Sequence, residues 1–175
     1  MDIPLTTESQ NAPDEITVEQ FCAGVARTFK VRSHEVALYA LQRGMLRFLY
    51  PVELRFAGVI PLTSSAMVAR TATTQRSEFY NSFASVRHSS VFETIKLAAA
   101  EGMDPSALTI QKMLSGAVFS PKGDVIGVIQ VSRKGSSLAT AGPDFGLEDL
   151  RALDQAAQAA GKLMPAFVAS LSSTK

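Results

Sequence analysis

Two stretches are the most informative about the fold, GDVIGVIQVSRKG at residues 123–135 and DFGLEDLRALDQAAQAAGKLMPAF at residues 144–167. The run from Val125 to Ile129 shows no alternation of polar and apolar residues, which predicts a central strand covered on both faces. Gly127 inside this run leaves room for another group to approach the backbone closely. The second stretch predicts an amphipathic helix that is preceded by an aromatic plug.

The final helix carries apolar residues spaced alternately three and four positions apart, as in a coiled coil. They are Leu150, Leu153, Ala157, Ala160, Met164, Phe167 and Leu171. We predict that these residues form the seam of a homodimer, together with a helix at residues 16–29. The alternative is that the helix packs on its own domain. Pro165 is expected to kink or end the helix.

The N-terminal half carries local signals for a helix and a hairpin. Residues 1–15 are polar, contain two prolines and predict a flexible tail. Thr17 and Gln20 form the two ends of a capping box, which predicts a helix start. Strands are predicted at residues 35–41 and 45–50, joined by a turn at Gln42-Arg43-Gly44.

The remaining elements follow from turn residues and helix caps. A third strand is predicted at residues 54–62, with its end set by Pro61, and Ser64 or Ser65 is expected to cap a short helix that reaches about Thr74. The other predicted elements are a short strand at 78–81, a helix at 90–100, and a hairpin of strands at 109–119 and 124–133.

Composition excludes several classes of function. The chain has 17 lysines and arginines against 16 acidic residues, so its charge favours neither nucleic acid nor an anionic membrane as a partner. No apolar run reaches the length of a membrane span, and the N-terminus lacks the basic and apolar regions of a signal peptide. A single cysteine forms no internal disulfide, which fits a reducing cytoplasm.

In order and spacing, these elements resemble a GAF domain, a module for small-molecule sensing and dimerisation. The strongest part is Gly127-Val128-Ile129, followed by Phe145 and Asp149, and supporting parts lie at 58–72, 77–83, 88–96 and 110–119. The resemblance implies one domain over residues 16–172 with a PAS-like α+β fold. Its antiparallel sheet would have five or six strands, with the terminal helices on one face and short helices and loops over a pocket on the other.

Members of this family that bind cyclic nucleotides carry a signature whose positions fall on Arg133, Lys134, Phe145, Asp149 and Leu150. The lysine, phenylalanine and aspartate are retained here, whereas the asparagine and the glutamate are lost. The resemblance therefore implies a structural role for the three retained residues. Lys134 and Asp149 would bridge strand and helix, and Phe145 would fill the gap below them.

The resemblance places a set of candidate ligand-binding residues on the pocket wall and roof, namely Arg70, Tyr80, Asn81, Arg87, His88 and Phe92. Arginine, histidine and asparagine together can orient a carboxylate or a phosphate. The alternative gives them ordinary roles at a helix start, in solvent and in a turn. No metal or resident cofactor is expected, and the ligand would be an unidentified small molecule.

Three functions remain open at this point. The first is a ligand sensor that signals through its dimer interface or through a partner protein. The second is a ligand-free dimerisation module whose pocket is filled by Phe79, Phe83, Phe92 and Met113. The third is an enzyme like the free methionine sulfoxide reductases of the family, which need several cysteines, whereas Cys22 is the only one here. The common catalytic motifs are missing, so no enzymatic activity is expected.

Overall fold

The computed structural model of the chain describes residues 15–56, 58–83 and 109–172. The helices are α1 (Val18–Phe29), α2 (Met67–Thr74) and α3 (Leu147–Ser172). The strands are β1 (Val36–Gln42), β2 (Met45–Tyr50), β3 (Val59–Pro61), β4 (Glu78–Tyr80), β5 (Ile110–Phe119) and β6 (Val125–Lys134). They form one antiparallel sheet in the order β3-β2-β1-β6-β5-β4, which confirms the predicted fold class.

Strand β6 lies in the middle of the sheet, between β1 and β5, as its apolar sequence predicts. A Cβ atom at Gly127 would clash with the carbonyl oxygen of Tyr39 on β1 and would lie 2.8 Å from Cε of Met164 on α3. The close approach predicted at this glycine is therefore confirmed, and it lets α3 pack directly on the central strands.

The two faces of the sheet carry separate apolar cores, because successive strand residues point to opposite faces. Val36 and Leu38 of β1 pack with α1 and α3 in the first core, which also holds Ile129 of β6. Ala37 and Tyr39 of β1 pack with α2 in the second core. Both terminal helices thus cover one face, as expected, and α2 covers the other.

Two local predictions in the N-terminal half are confirmed. The Thr17 hydroxyl accepts the Gln20 N–H at 3.1 Å, and the Gln20 side chain accepts the Thr17 N–H at 3.0 Å, which completes the capping box of α1. The turn between β1 and β2 places Arg43 at φ 52° and Gly44 at φ 74°. Two consecutive residues with positive φ are what a two-residue hairpin turn with the correct twist requires.

The third predicted strand is wrong in length. Only Val59–Pro61 pairs with β2, whereas Val52–Leu54 forms a short 3-10 helix. In that helix the Leu54 N–H donates to the Pro51 carbonyl at 3.1 Å, so a local hydrogen bond replaces strand pairing. The following helix begins at Met67, later than the predicted serine cap, and Ser64 instead accepts the N–H of Ala66.

Of the two effects expected at Pro165, a kink or an end of the last helix, the end is wrong, because α3 continues through it to Ser172. Pro165 faces solvent. Proline removes one helical hydrogen bond, and water can satisfy the carbonyl that loses its donor. Met164 and Phe167, on either side, are 2% and 3% exposed and anchor the helix in the first core.

The assignment of the heptad residues to a dimer seam is also corrected. Leu153, Ala157, Ala160, Met164 and Phe167 are buried in the chain's own first core, and Leu150 is half-buried against it. The ring centroids of Phe167 and Phe21 of α1 lie 5.9 Å apart. The regular spacing therefore reflects packing of α3 on the sheet and on α1, and the five buried side chains are at most 5% exposed.

The helix predicted at residues 90–100 lies outside the described residues. Among the helices of the described segments, none has the length and apolar character needed to cross a bilayer.

Candidate functional site

Two of the predicted pocket residues meet at a third residue that sequence reasoning missed. Glu78 on β4 accepts a hydrogen bond from the Tyr80 hydroxyl at 2.9 Å, and its other oxygen lies 3.4 Å from a guanidinium nitrogen of Arg70 on α2. Partial burial, with the hydrogen bond to Glu78 and its charge, raises the pKa of Tyr80. The signal available in sequence was the spacing of two between Glu78 and Tyr80, which places both side chains on one face of a strand.

Asn81, at the end of β4, has a structural role, while its predicted role in ligand binding stays a prediction. Its Nδ2 donates to the Phe145 carbonyl at 2.9 Å, and its Oδ1 accepts the Phe145 N–H at 2.7 Å. Phe145 is 3% exposed, lies just before α3, and packs in the first core. The guanidinium carbon of Arg133 stands 4.7 Å from its ring centroid. Asn81 therefore ties the end of β4 to the start of α3.

The other predicted pocket residues, Arg87, His88 and Phe92, lie outside the described residues. Their prediction stays open.

The pair expected to bridge strand and helix has separate partners. Lys134 Nζ donates to the His34 carbonyl at 2.6 Å, whereas Asp149 accepts the Gly146 N–H at 2.8 Å in the first turn of α3. Lys112 of β5, instead of Lys134, joins the sheet to the segment before α3. Its Nζ donates to the Gly142 carbonyl at 2.6 Å and lies 2.8 Å from a carboxylate oxygen of Asp144 in the loop before α3.

The backbone of Lys134 also binds a buried carboxylate. Glu35 accepts the Lys134 N–H at 2.7 Å, and it accepts both the backbone N–H and the Nε–H of Arg32 at 2.8 and 3.1 Å. Burial alone would raise the pKa of Glu35. The hydrogen bonds from Arg32 and Lys134, with the Arg32 charge, outweigh it and hold the pKa below its usual 4.5.

A row of buried polar side chains crosses the α2 face of the sheet, and we call it the polar row. It consists of Tyr39, Gln130, Ser115 and Thr71 on β1, β6, β5 and α2, and all four residues are buried. The Tyr39 hydroxyl donates to Gln130 Oε1 at 3.3 Å, and Gln130 Nε2 donates to Ser115 Oγ at 3.2 Å. The oxygens of Ser115 and Thr71 lie 2.7 Å apart, and Thr71 donates to the Met67 carbonyl at 3.0 Å.

The hydrogen bond from Thr71 to the Met67 carbonyl fixes the direction of every other hydrogen bond in the polar row. Because the only hydroxyl hydrogen of Thr71 points to the Met67 carbonyl, Ser115 donates to Thr71. Burying such groups is costly unless each is paired, and here each donor has an acceptor. Sequence reasoning missed the row, although Ser115 and Gln130 are polar interruptions of apolar strands and are direct register partners.

Cys22 lies in the first core, on the opposite face of the sheet from the polar row. The residue is fully buried, and burial, with the nearby charge of Glu19, raises the pKa of its thiol to about 12. A thiol in this state is a poor nucleophile at neutral pH. In the part of the chain that the structure describes, no group of three His, Cys, Asp or Glu side chains is arranged to hold a metal ion.

No family model matches the sequence, and no curated protein is significantly similar to it. Solved structures do match. The GAF domain of an Acinetobacter phosphoenolpyruvate-protein phosphotransferase superposes with a TM-score of 0.60 at 14% identity, over 87% of this chain and 82% of that one. The GAF domain of a two-component sensor histidine kinase from Bacillus halodurans gives 0.56 at 17% identity, over 85% and 93%.

A third similar structure is an enzyme, the type II free methionine-R-sulfoxide reductase from Thermoplasma acidophilum. It gives a TM-score of 0.57 at 16% identity, over 85% of this chain and 90% of that one. Identities this low establish the fold and leave the activity open. With the six-stranded antiparallel sheet and the helices on its two faces, these matches show that the chain has the fold of a GAF domain.

Proposed function

We propose that the protein is a small-molecule sensor, in which a ligand binds on the α2 face of the sheet and changes the packing of the terminal helices on the other face. The observation that carries this proposal is the pair of hydrogen bonds between Asn81 and the Phe145 backbone. Asn81 follows β4 on the expected pocket wall, and Phe145 begins the segment that leads into α3. A ligand that displaces the end of β4 would therefore also move the start of α3, because the hydrogen bonds of Asn81 join the two.

The polar row supports the choice of binding face. It places hydroxyl and amide groups in a core that is otherwise apolar, and binding sites combine these features. The contacts of Glu78 with Arg70 and with Tyr80 lie at the β4 side of the same face. A ligand with hydroxyl or carbonyl groups can form hydrogen bonds to the polar row in place of bonds within the row. No buried group is then left unpaired.

The signal would leave through a homodimer or through a partner protein. With the heptad residues buried inside the chain, we propose the outer faces of α1 and α3 as the dimer surface. A groove of about 730 Å³ lies there, lined by Ile16, Gly24, Ala152 and Ala156 among others. Ile16 is 49% exposed, and the three small residues would allow a second helix to approach closely. The ligand acts by binding one helix arrangement more tightly than the other.

The sensor context is supported by a similar structure, the GAF domain of a sensor histidine kinase. We also propose a cytoplasmic location, which suits the single reduced thiol.

Native mass spectrometry of the protein purified from cells, compared with its denatured mass, tests the sensor proposal. A non-covalent mass that is lost on denaturation supports it and identifies the ligand. Tyr39→Phe and Ser115→Ala should then weaken ligand binding, whereas Thr63→Ala, at an exposed turn residue, should not. An apo mass, together with no thermal shift across a library of cell metabolites, would overturn it and leave the ligand-free module.

The coupling itself has a separate test. The dimer dissociation constant is measured with and without ligand by sedimentation, in the wild type and in Asn81→Ala. We expect the ligand to change the constant in the wild type, and to bind the variant with little effect on dimerisation. An equal ligand effect in both proteins would show that the signal does not pass through Asn81.

One observation fits the ligand-free module. Phe83 and Met113 are 3% and 1% exposed and lie in the second core, as expected if side chains fill the pocket, whereas Phe79 packs against the first core instead. The same mass spectrum separates this function from the sensor.

A further inference from the structure

A groove runs between α3 and the end of β5, away from both surfaces used above. It has a volume of about 830 Å³ and is lined by side chains of α3, of β5 and of the segment between α2 and β4. We propose that this groove binds an extended acidic peptide segment of a partner protein. The inference goes beyond ligand sensing, since it requires no small molecule.

The groove has the length of a short extended peptide. Its α3 wall reaches from Leu150 to Lys162, which is about 18 Å at ~1.5 Å per helical residue. An extended chain rises ~3.3 Å per residue, so about five or six residues fill this length. Ala157 and Gly161 lie along the wall between these ends, and the absence of a side chain at Gly161 lets α3 pack against the Phe119 carbonyl of β5 at the base of the groove.

The other wall is the end of β5, which among the described residues has a paired strand on one side only. β4 pairs only with Met113–Ser115 of β5, so among the described residues no strand pairs with Ala117–Phe119 on the side away from β6. Ala117 and Phe119 both line the groove, and Phe119 is 38% exposed. Strand ends of this kind are common docking places for extended peptides, and the apolar floor favours alternating apolar side chains in the occupant.

The charges of the groove select an acidic occupant. Arg76 and Lys162 line it and are exposed. Within the described segments neither forms an ion pair or a hydrogen bond, whereas Arg32, Arg55, Arg70 and Lys112 each face a carboxylate. The one acidic residue of the lining, Asp154, accepts the Ser77 hydroxyl at 2.6 Å. Two cations beside an apolar floor favour carboxylates placed on either side of apolar residues.

The test begins with selection of peptides from a phage-displayed library of random octapeptides against the purified full chain. The best sequence is then synthesised with a fluorescein label, and its affinity is measured by fluorescence anisotropy. We expect an enriched pattern of Asp and Glu around apolar residues. The peptide should also protect amides of residues 117–120 from hydrogen exchange.

Charge reversal provides the matched comparison. Arg76→Glu/Lys162→Glu should weaken peptide binding at least about tenfold, as expected for two lost ionic contacts. Arg47→Glu/Arg151→Glu changes the net charge equally at exposed positions outside the groove and should leave the affinity within about twofold. Circular dichroism checks that both double variants keep the fold.

Four outcomes would overturn the proposal. The first three are selected peptides without acidic enrichment, an equal loss of affinity in both double variants, and amide protection confined to other segments. The fourth is displacement of the peptide by millimolar succinate, which would assign the groove to small carboxylates. A fifth is loss of self-association in Arg76→Glu/Lys162→Glu on sedimentation, which would make a second copy of the chain the occupant.

Discussion

The side-chain amide of Asn81 holds the backbone of Phe145 at both of its polar groups, by bonds of 2.9 Å to the carbonyl and 2.7 Å from the N–H. The two residues are 64 positions apart in the chain. The amide thus forms with Phe145 the same two backbone hydrogen bonds that a neighbouring strand would form. It fixes where the segment before α3 meets the sheet. Through this contact the short strand β4 and the start of α3 are joined, so that a movement of one also moves the other.

Asn81→Ala should lower the free energy of unfolding by about 1–3 kcal/mol, because the backbone groups of Phe145 lose their partners in a partly buried place. Urea unfolding measures the change. Thr63→Ala, at an exposed turn, should stay within about 0.5 kcal/mol of the wild type. A loss no larger than that of the control would show that water replaces the amide without cost.

Gly127→Ala should destabilise the protein severely, by about 3 kcal/mol or more, because the new methyl group would meet the Tyr39 carbonyl as well as Met164. The matched control is Gly24→Ala on α1, where the added carbon meets only the Arg27 side chain at 3.6 Å. That change should stabilise the helix by about 0.5–1 kcal/mol. Thermal unfolding compares the two variants, and equal effects would contradict the close approach of strand β1 and helix α3 at Gly127.

Glu35→Gln should destabilise the protein by about 2 kcal/mol at pH 7, because it weakens charge-assisted hydrogen bonds to a carboxylate that is 5% exposed. The pKa of Glu35 is depressed in the folded state, so its charge stabilises the fold above the usual pKa of 4.5. This contribution is lost as the pH falls below that value. Urea unfolding from pH 7 to 3 should therefore show the difference between wild type and variant shrinking in acid. A difference independent of pH would contradict the assignment.

Cys22 should be nearly inert in the native protein. With a pKa of about 12, its thiolate fraction at pH 8 is about 10³-fold below that of an unfolded thiol. Labelling with a thiol reagent such as DTNB should accordingly be at least that much slower in buffer than in 6 M urea. Rapid native labelling, or methionine sulfoxide reduction that disappears in Cys22→Ser, would instead restore the reductase function.

The parts of the fold that sequence predicted depend on neighbours along the chain. Thr17 and Gln20 satisfy each other's backbone groups three residues apart, and Arg43-Gly44 can take positive φ at a sharp turn. The run from Val125 to Ile129 in β6 is apolar on both faces, which predicts that both faces are covered but does not say by which elements. The order of these elements was then enough to recognise the GAF fold.

The candidate site was predicted less well, because its contacts join distant residues. Arg70 and Tyr80 do lie close together, but through Glu78, whose role depends on the position of α2. Lys112 rather than Lys134 ties the sheet to the loop before α3, since strand pairing decides which lysine faces that loop. The polar row needed the register of Ser115 against Gln130, which no local pattern gives.

The residues of α3 that are buried can be read from the sequence, since a spacing of three and four puts Leu153 and Met164 on one face of a helix. What covers them is known from the packing of the chain: the sheet and α1 lie over this face. The same packing places Arg76 and Lys162 beside an open groove, where neither has an ion-pair partner among the described residues. Helical periodicity is local and reports only that a face is apolar. The choice between a neighbour within the chain and a second chain depends on how all the elements pack.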